Sequence, residues 1–291
     1  MAWLQLTVDL SGDRVEAISE VFESMGALSV TVLDAGDEPL LEPAPGETPL
    51  WSSVRLVALF PAGQDEDTLC RTLHQQLPGL AEKILVETLE EQDWSNTWRD
   101  SFSAMCFGKH LWVCPVGEPP QQADAVVVHL DPGMAFGTGT HATTAMCLRW
   151  LDAHPPTDLR VIDYGCGSGI LAIAAHKLSA AHVSAVDIDP QALLATRENA
   201  RRNGCGEAIR VLHPDELEAA TADLLVANIL ANPLIELAED FSRRVKPGGQ
   251  VVLTGILSEQ AAAVQAAYQP AFDFGPPTRD EEWVLLAGTR R

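Results

Sequence analysis

Three alternate glycines, Gly165, Gly167 and Gly169, follow an apolar stretch that predicts a β-strand over residues 160–163. Glycine permits a sharp turn and lets a ligand approach the main chain closely, and open α/β sheets bind ligands at the carboxyl ends of their strands. The spacing therefore predicts a ligand-binding loop, with a turn that binds nothing as the alternative. A dinucleotide loop needs glycine at the sixth position of G-x-G-x-x-G, where this chain has Ile170, so that fingerprint is absent.

An acidic residue, Asp187, ends the next predicted strand, 22 residues after Gly165. A carboxylate in this place can accept hydrogen bonds from ribose hydroxyls, so the pattern favours a nucleoside ligand. Asp189 is better explained as the N-cap of a helix that begins at Pro190. Asp163, at the end of the preceding strand, has two interpretations: it accepts a hydrogen bond from an ammonium group of the ligand, or it holds the loop backbone.

An asparagine, Asn228, ends the strand predicted over 224–228. Together with neighbouring main-chain carbonyls, its side-chain carbonyl can accept two hydrogen bonds from one amine and so aim the nitrogen lone pair. That geometry suits methyl transfer to nitrogen. The alternative is a cap on the helix that begins near Pro233, and spacing alone does not separate the two interpretations.

The segment 131–144 is dense in glycine and hydroxyl side chains and precedes the main alternation of strands and helices. Such a loop offers many backbone donors, and we expect it to fold over a bound ligand as a lid. Its histidine, His141, has no partner acid visible in the sequence. A structural hydrogen-bonding role is therefore favoured over a titrating one.

These residues belong to a regular alternation of strands and helices in the second half of the chain. Nearly continuous apolar strands separated by helices are typical of a parallel sheet covered on both faces, the doubly wound α/β class. We predict strands over 111–113, 126–129, 160–163, 183–187, 209–212, 224–228 and 250–254, and helices over 170–177, 190–203 and 233–245.

The N-terminal part has a different order, β-α-β-β-α-β, with strands over 3–8, 27–33, 54–60 and 84–89 and helices over 15–25 and 68–77. This order predicts a small ferredoxin-like α+β domain, which we interpret as a recognition domain. Between the two parts, Trp94 and Trp98 share one helical face, and we expect them to pack between domains. The predicted organisation is a ferredoxin-like domain over 1–91, a linker helix over 92–104 and a catalytic domain over 105–291.

The 291 residues include 41 acidic and 19 basic side chains, which gives a formal net charge of −22. So acidic a chain lacks the broad basic surface of proteins that bind nucleic acid or anionic membranes. The charge favours a basic partner. The alternative is that the net charge only keeps the protein soluble. Six cysteines without a C-x-x-C pair disfavour a zinc site and a disulfide framework. The absence of a signal-like start and of any apolar run near ~18 residues predicts a cytoplasmic protein.

Four segments together closely resemble the PrmA-type enzymes, bacterial methyltransferases of large-subunit ribosomal protein eleven: residues 131–141, 161–169, 187–190 and 228–231. The resemblance covers essentially the whole chain and implies a class I, Rossmann-like methyltransferase domain with S-adenosyl-L-methionine as methyl donor. It implies that Gly165 and Gly167 contact the methionine portion of the donor and that Asp187 holds the ribose. It further implies that Thr144 touches the donor, and that Asn228 borders the donor and orients the acceptor amine.

The resemblance also implies the substrate: the N-terminal α-amine and lysine ε-amines of that ribosomal protein, bound by the N-terminal domain. We expect a neutral amine to displace the methyl group directly and in line, without a nucleophilic residue of the enzyme. We expect a monomer without a metal, a nucleic-acid partner or a membrane contact.

Two places depart from the family's pattern. Ala142 stands where the lid usually has a proline, which we expect to cost well under ~1 kcal/mol. Ala104 and Cys106 stand where the linker commonly has a proline and a basic residue, which leaves the role of that basic residue open. Two other functions are weighed on the residues alone: a nicotinamide-dependent oxidoreductase, which Ile170 disfavours, and a non-catalytic binding protein on a nucleotide-binding scaffold.

Overall fold

The computed structural model describes residues 3–36, 49–61, 66–89, 103–117, 120, 122, 124–130, 140–217 and 221–291. The chain divides into two units, Met1–Trp94 and Ser95–Arg291. This division falls within the predicted linker 92–104. Most of that linker, with Trp94 and Trp98, lies outside the described residues, as do residues 131–139 of the predicted lid over 131–144.

The described residues of the first unit form four strands and two α-helices in the predicted order: β1 (Trp3–Ser11), α1 (Val15–Ser24), β2 (Ser29–Asp34), β3 (Ser53–Phe60), α2 (Glu66–Gln76) and β4 (Leu85–Leu89). The sheet order is β2-β3-β1-β4, and every neighbouring pair is antiparallel. Alternate residues of β1, such as Leu6 and Val8, are buried against helix residues such as Phe22, as the period of two for strands requires.

The first described elements of the second unit form a small three-stranded sheet: β5 (Met105–Phe107), β6 (Leu111–Cys114) and β7 (Val126–His129). The strands β6 and β7 were predicted, whereas β5, which contains Cys106, was not. The turn between β5 and β6 is held by the buried carboxylate of Asp152, which accepts hydrogen bonds from the backbone N–H groups of Lys109, His110 and Leu111 at 2.5, 3.1 and 2.9 Å.

The main sheet of the second unit has eight strands in the order β10-β9-β8-β11-β12-β15-β13, with β14 paired to β15. It is parallel from β10 to β12, as predicted, and antiparallel where β15 joins β12, β13 and β14. Its strands are β8 (Arg160–Tyr164), β9 (His182–Val186), β10 (Ile209–Leu212), β11 (Ala222–Asn228), β12 (Val245–Leu257), β13 (Phe272–Phe274), β14 (Thr278–Asp280) and β15 (Trp283–Arg290).

The helices of this unit cover both faces of the main sheet. Those that the structure describes are α3 (Ala142–Ala153), α4 (Ile170–Lys177), α5 (Pro190–Arg202), α6 (Ala231–Glu236), α7 (Ala238–Arg244) and α8 (Ala261–Tyr268). Neighbouring strand residues belong to different cores: Val161 packs in the cluster that contains α3 and α4 residues, whereas Ile162 packs in the cluster that contains α6–α8 residues. The sheet is therefore a doubly wound α/β sheet with an antiparallel edge.

Several sequence predictions for this unit need correction. The predicted helix over 233–245 is two helices, α6 and α7, which meet at Leu237, where ψ is 0° and the regular helix is interrupted. The strand predicted over 250–254 extends over Val245–Leu257, and its register shifts between Leu253 and Ile256. The last three residues of the predicted lid, 142–144, form the first turn of α3, so the segment becomes helical immediately after His141.

Among the described residues, no helix combines the length and apolar character needed to cross a lipid bilayer.

Candidate active site

Apart from Thr144, which lies in the first turn of α3, the predicted site residues lie at the carboxyl ends of three adjacent strands. The glycine loop follows β8, Asp187 follows β9 and Asn228 ends β11. The chain runs outward from β8 to β9 and β10, and then returns to place β11 on the other side of β8. This reversal is the topological switch point at which open α/β sheets form a ligand crevice.

Ile229, the residue after Asn228, is held between two glycines. Gly165 has φ of +79°, and a Cβ there would lie 2.2 Å from Ile229 Cγ2. Gly255 in β12 has φ of +83°, and a Cβ there would lie 2.3 Å from the Ile229 carbonyl oxygen. Both positions therefore require glycine for conformation and for space. The contact links the loop after β8 to the end of β11, and sequence reasoning missed the contribution of Gly255.

Two polar side chains of α5 hold the glycine loop from within the protein. Thr196 Oγ1 donates a hydrogen bond to the carbonyl oxygen of Gly167 at 2.9 Å, and Asn199 Nδ2 donates one to the carbonyl oxygen of Ser168 at 2.9 Å. Both side chains are buried. Sequence reasoning missed these residues; the available signal was polar residues spaced by three on the buried face of a helix.

The Asp187 carboxylate is fixed by backbone donors. Its Oδ2 accepts a hydrogen bond from Gly167 N at 2.9 Å, and its Oδ1 accepts one from Asp189 N at 2.9 Å. Each carboxylate oxygen can accept more than one hydrogen bond, so the half-buried group retains capacity for two ligand hydroxyls. Asp189 itself caps α5 by accepting from Gln191 N at 2.9 Å, which confirms its predicted role.

Asp163 lies below the glycine loop and is only 1% exposed. Its Oδ2 accepts a hydrogen bond from Ala172 N, in the first turn of α4, at 2.9 Å, whereas its Oδ1 has no partner among the described residues. Burial raises the pKa of this carboxyl to about 7, with the negative charge of Asp187 acting in the same direction and the bond from Ala172 opposing it. The observed bond holds the backbone at the start of α4, immediately after the glycine loop.

Asn228 and Thr144 are in direct contact. Asn228 Nδ2 donates a hydrogen bond to Thr144 Oγ1 at 3.2 Å, although the two residues are 84 positions apart in the chain. Thr144 is 1% exposed in the first turn of α3, so the hydroxyl is a fixed acceptor. With its amide nitrogen engaged there, Asn228 keeps its side-chain carbonyl oxygen available as an acceptor. The alternative role as a helix cap is wrong, because Leu230 is the N-cap of α6.

The helix that carries Thr144 begins at a histidine cap. His141 Nδ1 lies 2.8 Å from Thr143 Oγ1, and its side chain accepts a hydrogen bond from Thr143 N. The imidazole also packs edge-on against the Trp283 ring, with centroids 5.0 Å apart. These contacts confirm the structural role predicted for His141. They also fix the start of α3, and hence the place of Thr144.

The chemistry of this crevice is that of alignment rather than of covalent catalysis. Burial raises the pKa of the nearby Cys166 thiol well above its usual range, with the negative charge of Asp163 acting in the same direction, so this cysteine is a poor nucleophile. In the described ranges, no three histidine, cysteine or acidic side chains are grouped to hold a metal ion. What the crevice offers is a glycine loop, a carboxylate for hydroxyl groups and an oriented amide carbonyl.

Comparison with known proteins gives consistent matches along the chain. A family model described as ribosomal protein L11 methyltransferase (PrmA) matches residues 2–291. The protein named ribosomal protein L11 methyltransferase in Nitrosococcus oceani is 50% identical to this chain over 292 residues, and the match covers 100% of both chains. The relative of that name in Methylococcus capsulatus is 51% identical over 295 residues, covering 99% of each chain.

A solved structure matches the fold as well. The crystal structure of ribosomal protein L11 methylase from Lactobacillus delbrueckii subsp. bulgaricus is 34% identical, with a TM-score of 0.61 over 65% of this chain and 100% of that chain. The resemblance inferred from the sequence motifs is thus confirmed. The chain belongs to the ribosomal protein L11 methyltransferase (PrmA) family.

Proposed function

We propose that this protein transfers methyl groups from S-adenosyl-L-methionine to the N-terminal α-amine and lysine ε-amines of ribosomal protein L11. The observation that carries the proposal is the Asn228 amide, which Thr144 orients at the carboxyl end of β11, beside the glycine loop. Membership of the PrmA family supports the reaction and the donor, and supports neither the oxidoreductase nor the non-catalytic alternative. Ile170, at the position that a dinucleotide loop reserves for glycine, is a core residue of 2% exposure.

The residues of the crevice fit this donor. We assign its methionine portion to the loop around Gly165 and Gly167, where the main chain is open to close approach. We assign its ribose hydroxyls to Asp187, whose oxygens keep lone pairs beyond those that the backbone uses. Ile188, 74% exposed beside Asp187, offers an apolar surface of the kind that an adenine ring covers. We assign the methyl group of the donor to the space beside Thr144 and Asn228.

The bound donor supplies a methyl group already activated by its positive sulfonium sulfur. The protein's task is then to present a neutral amine in line with the bond that breaks. The Asn228 carbonyl oxygen accepts a hydrogen bond from that amine and so directs the nitrogen lone pair at the methyl carbon. As the nitrogen–carbon bond forms, the carbon–sulfur bond breaks, S-adenosylhomocysteine leaves, and the amine's extra proton passes to water.

Acceptor order follows from the pKa of each amine. An α-amine with a pKa of ~7.7 to 8.0 is substantially neutral near pH 8, whereas a lysine amine near ~10.4 is almost fully protonated. Desolvation in the crevice lowers the lysine pKa and makes its methylation possible. We therefore propose that the α-amine is methylated first.

We further propose that the ferredoxin-like domain, residues 1–91, binds the ribosomal protein, and that 92–104 links it to the catalytic domain, residues 105–291. The β-α-β-β-α-β order and the antiparallel β2-β3-β1-β4 sheet support this assignment of fold. The net charge of −22 suits a basic substrate. We place the reaction in the cytoplasm, with the protein acting as a monomer and contacting no nucleic acid directly.

Transfer of isotope-labelled methyl groups from S-adenosyl-L-methionine to purified ribosomal protein L11 tests the proposal. The control variant is Gln269→Ala, at an exposed position at the C-terminal end of α8. It should label L11 as fast as the wild-type protein does. Asp187→Ala should weaken donor binding in calorimetry, and Asn228→Ala should slow transfer at saturating donor. Donor binding without transfer to L11 would refute the substrate, and absence of donor binding would refute the reaction.

A further inference from the structure

A second cavity lies at the opposite edge of the main sheet from the glycine loop. It has a volume of about 120 Å³ and is lined at the amino ends of the strands by Arg160 of β8, His182 and Ser184 of β9, Arg210 of β10 and Thr221 before β11. The proposed methylation chemistry uses none of these residues.

The strand register explains why these side chains meet. Arg160 is paired with His182, and Ser184 is paired with Arg210. Side chains of paired residues point to the same face, as do those two positions apart on one strand. All four therefore project from one face of the sheet, the face on which Ile162 packs toward the α6–α8 core.

No described helix of the crossover between β10 and β11 covers this part of the face. The described residues of that crossover, 213–217 and 221, contain one 3-10 turn over Pro214–Glu216. Parallel strands are usually joined by a dozen or more residues with a helix that covers the face. The helices α6–α8 instead pack against β11, β12 and β15. Arg160, His182 and Arg210 consequently stay exposed.

The described lining of the cavity is basic, whereas the chain as a whole is strongly acidic. No described lining residue carries a carboxylate. The carboxylate of Asp223, adjacent to Arg160, is already engaged by Lys246 Nζ at 2.7 Å and by the Arg160 backbone N at 2.9 Å. In the described part of the chain, Arg210 has no acidic partner within 4.0 Å, whereas other arginines such as Arg55 and Arg291 are paired.

We propose that this cavity is a binding site for a single phosphate group, either as inorganic phosphate or as a phosphate monoester. Two arginines present planar forks of N–H donors that match the geometry of phosphate oxygens. The Ser184 and Thr221 hydroxyls add neutral donors, and the imidazole of His182 adds a further one.

Calorimetric titration of the full-length protein with inorganic phosphate, against chloride of matched ionic strength, tests the proposal. Glycerol 3-phosphate serves as the monoester in a parallel titration. The variants are Arg210→Gln and Arg160→Gln, with Arg201→Gln on the exposed end of α5 as the control arginine. Binding of S-adenosyl-L-methionine, at the other edge of the sheet, reports that each variant is folded.

The wild type and Arg201→Gln should bind one phosphate per chain, and each cavity variant should bind it at least about ten-fold more weakly, because a hydrogen bond to a charged group is lost. Tighter binding of glycerol 3-phosphate would identify a monoester as the ligand, and preference for inorganic phosphate would identify the free anion. Absence of saturable binding by the wild type, or equal binding by wild type and Arg210→Gln, would overturn the proposal.

Discussion

Replacement of Thr144 by valine tests whether this residue positions Asn228. The change keeps the shape of the side chain and removes the hydroxyl that accepts from Asn228 Nδ2 at 3.2 Å. An ordinary neutral hydrogen bond contributes about 0.5–1.5 kcal/mol, and a donor left unpaired costs about 1–3 kcal/mol. Because Asn228 is half-buried, water compensates in part, and we take about 1–2 kcal/mol as the loss. If this loss raises the activation free energy of methyl transfer, kcat decreases about 5- to 30-fold.

The assay is the rate of L11 methylation at saturating S-adenosyl-L-methionine, measured beside the calorimetric Kd of the donor. Thr144→Ser keeps the hydroxyl and should retain most of the wild-type kcat. In an Asn228→Ala background, Thr144→Val should have little further effect on kcat, because the partner is already absent. Equal kcat for wild type and Thr144→Val, or a loss confined to donor affinity, would refute the positioning role and leave only a donor contact.

Three further changes have expected outcomes. In urea titrations, Gly165→Ala should lower the free energy of unfolding by at least about 1–2 kcal/mol more than Gly204→Ala. Both glycines have positive φ, but only a Cβ at position 165 would collide with Ile229. Equal losses in the two variants would refute this collision. Ala142→Pro should raise the free energy of unfolding by about 0.4–1 kcal/mol and so raise the Tm. Position 142 is the first of its helix, where proline is tolerated, and it follows the extended residue His141. A lower Tm would contradict this expectation. The stability of Asp163→Asn relative to the wild type should increase as pH rises from about 4 to 7. In this range the Asp163 carboxyl of the folded wild type keeps a proton that the unfolded chain has released, so rising pH destabilises the wild type and not the variant. A difference in Tm between variant and wild type that does not depend on pH would count against this prediction.

Local patterns in the sequence predicted much of the second unit. The helix Ile170–Lys177 and the strand Ile209–Leu212 match their predicted bounds, because apolar runs and glycine turns delimit them. The cap at Asp189 was likewise a local signal. The missed elements lack such signals. Helix α3 begins inside a segment whose glycines and threonines indicate a loop. Strand β15 is held by pairing with β12, and β13 and β14 are each held by pairing with β15.

The site shows the same division between local and long-range information. The positions of the glycine loop, Asp187 and Asn228 at strand ends follow from the α/β alternation, because all carboxyl ends of a parallel sheet meet at one edge. Their partners do not follow. The bond from Asn228 to Thr144 and the support of Gly167 by Thr196 join residues that are distant in sequence, so they depend on helix packing that no local pattern specifies.

The most direct test of the central claim is to map which atoms of ribosomal protein L11 become methylated. Purified L11 is incubated near pH 8 with the enzyme and S-adenosyl-L-methionine, and its modified peptides are sequenced by tandem mass spectrometry over time. We expect methyl groups on amine nitrogens alone, first on the N-terminal α-amine and then on lysines. Asn228→Ala should strongly slow methylation at every site. Methylation at other atoms, or an unchanged rate in Asn228→Ala, would contradict it.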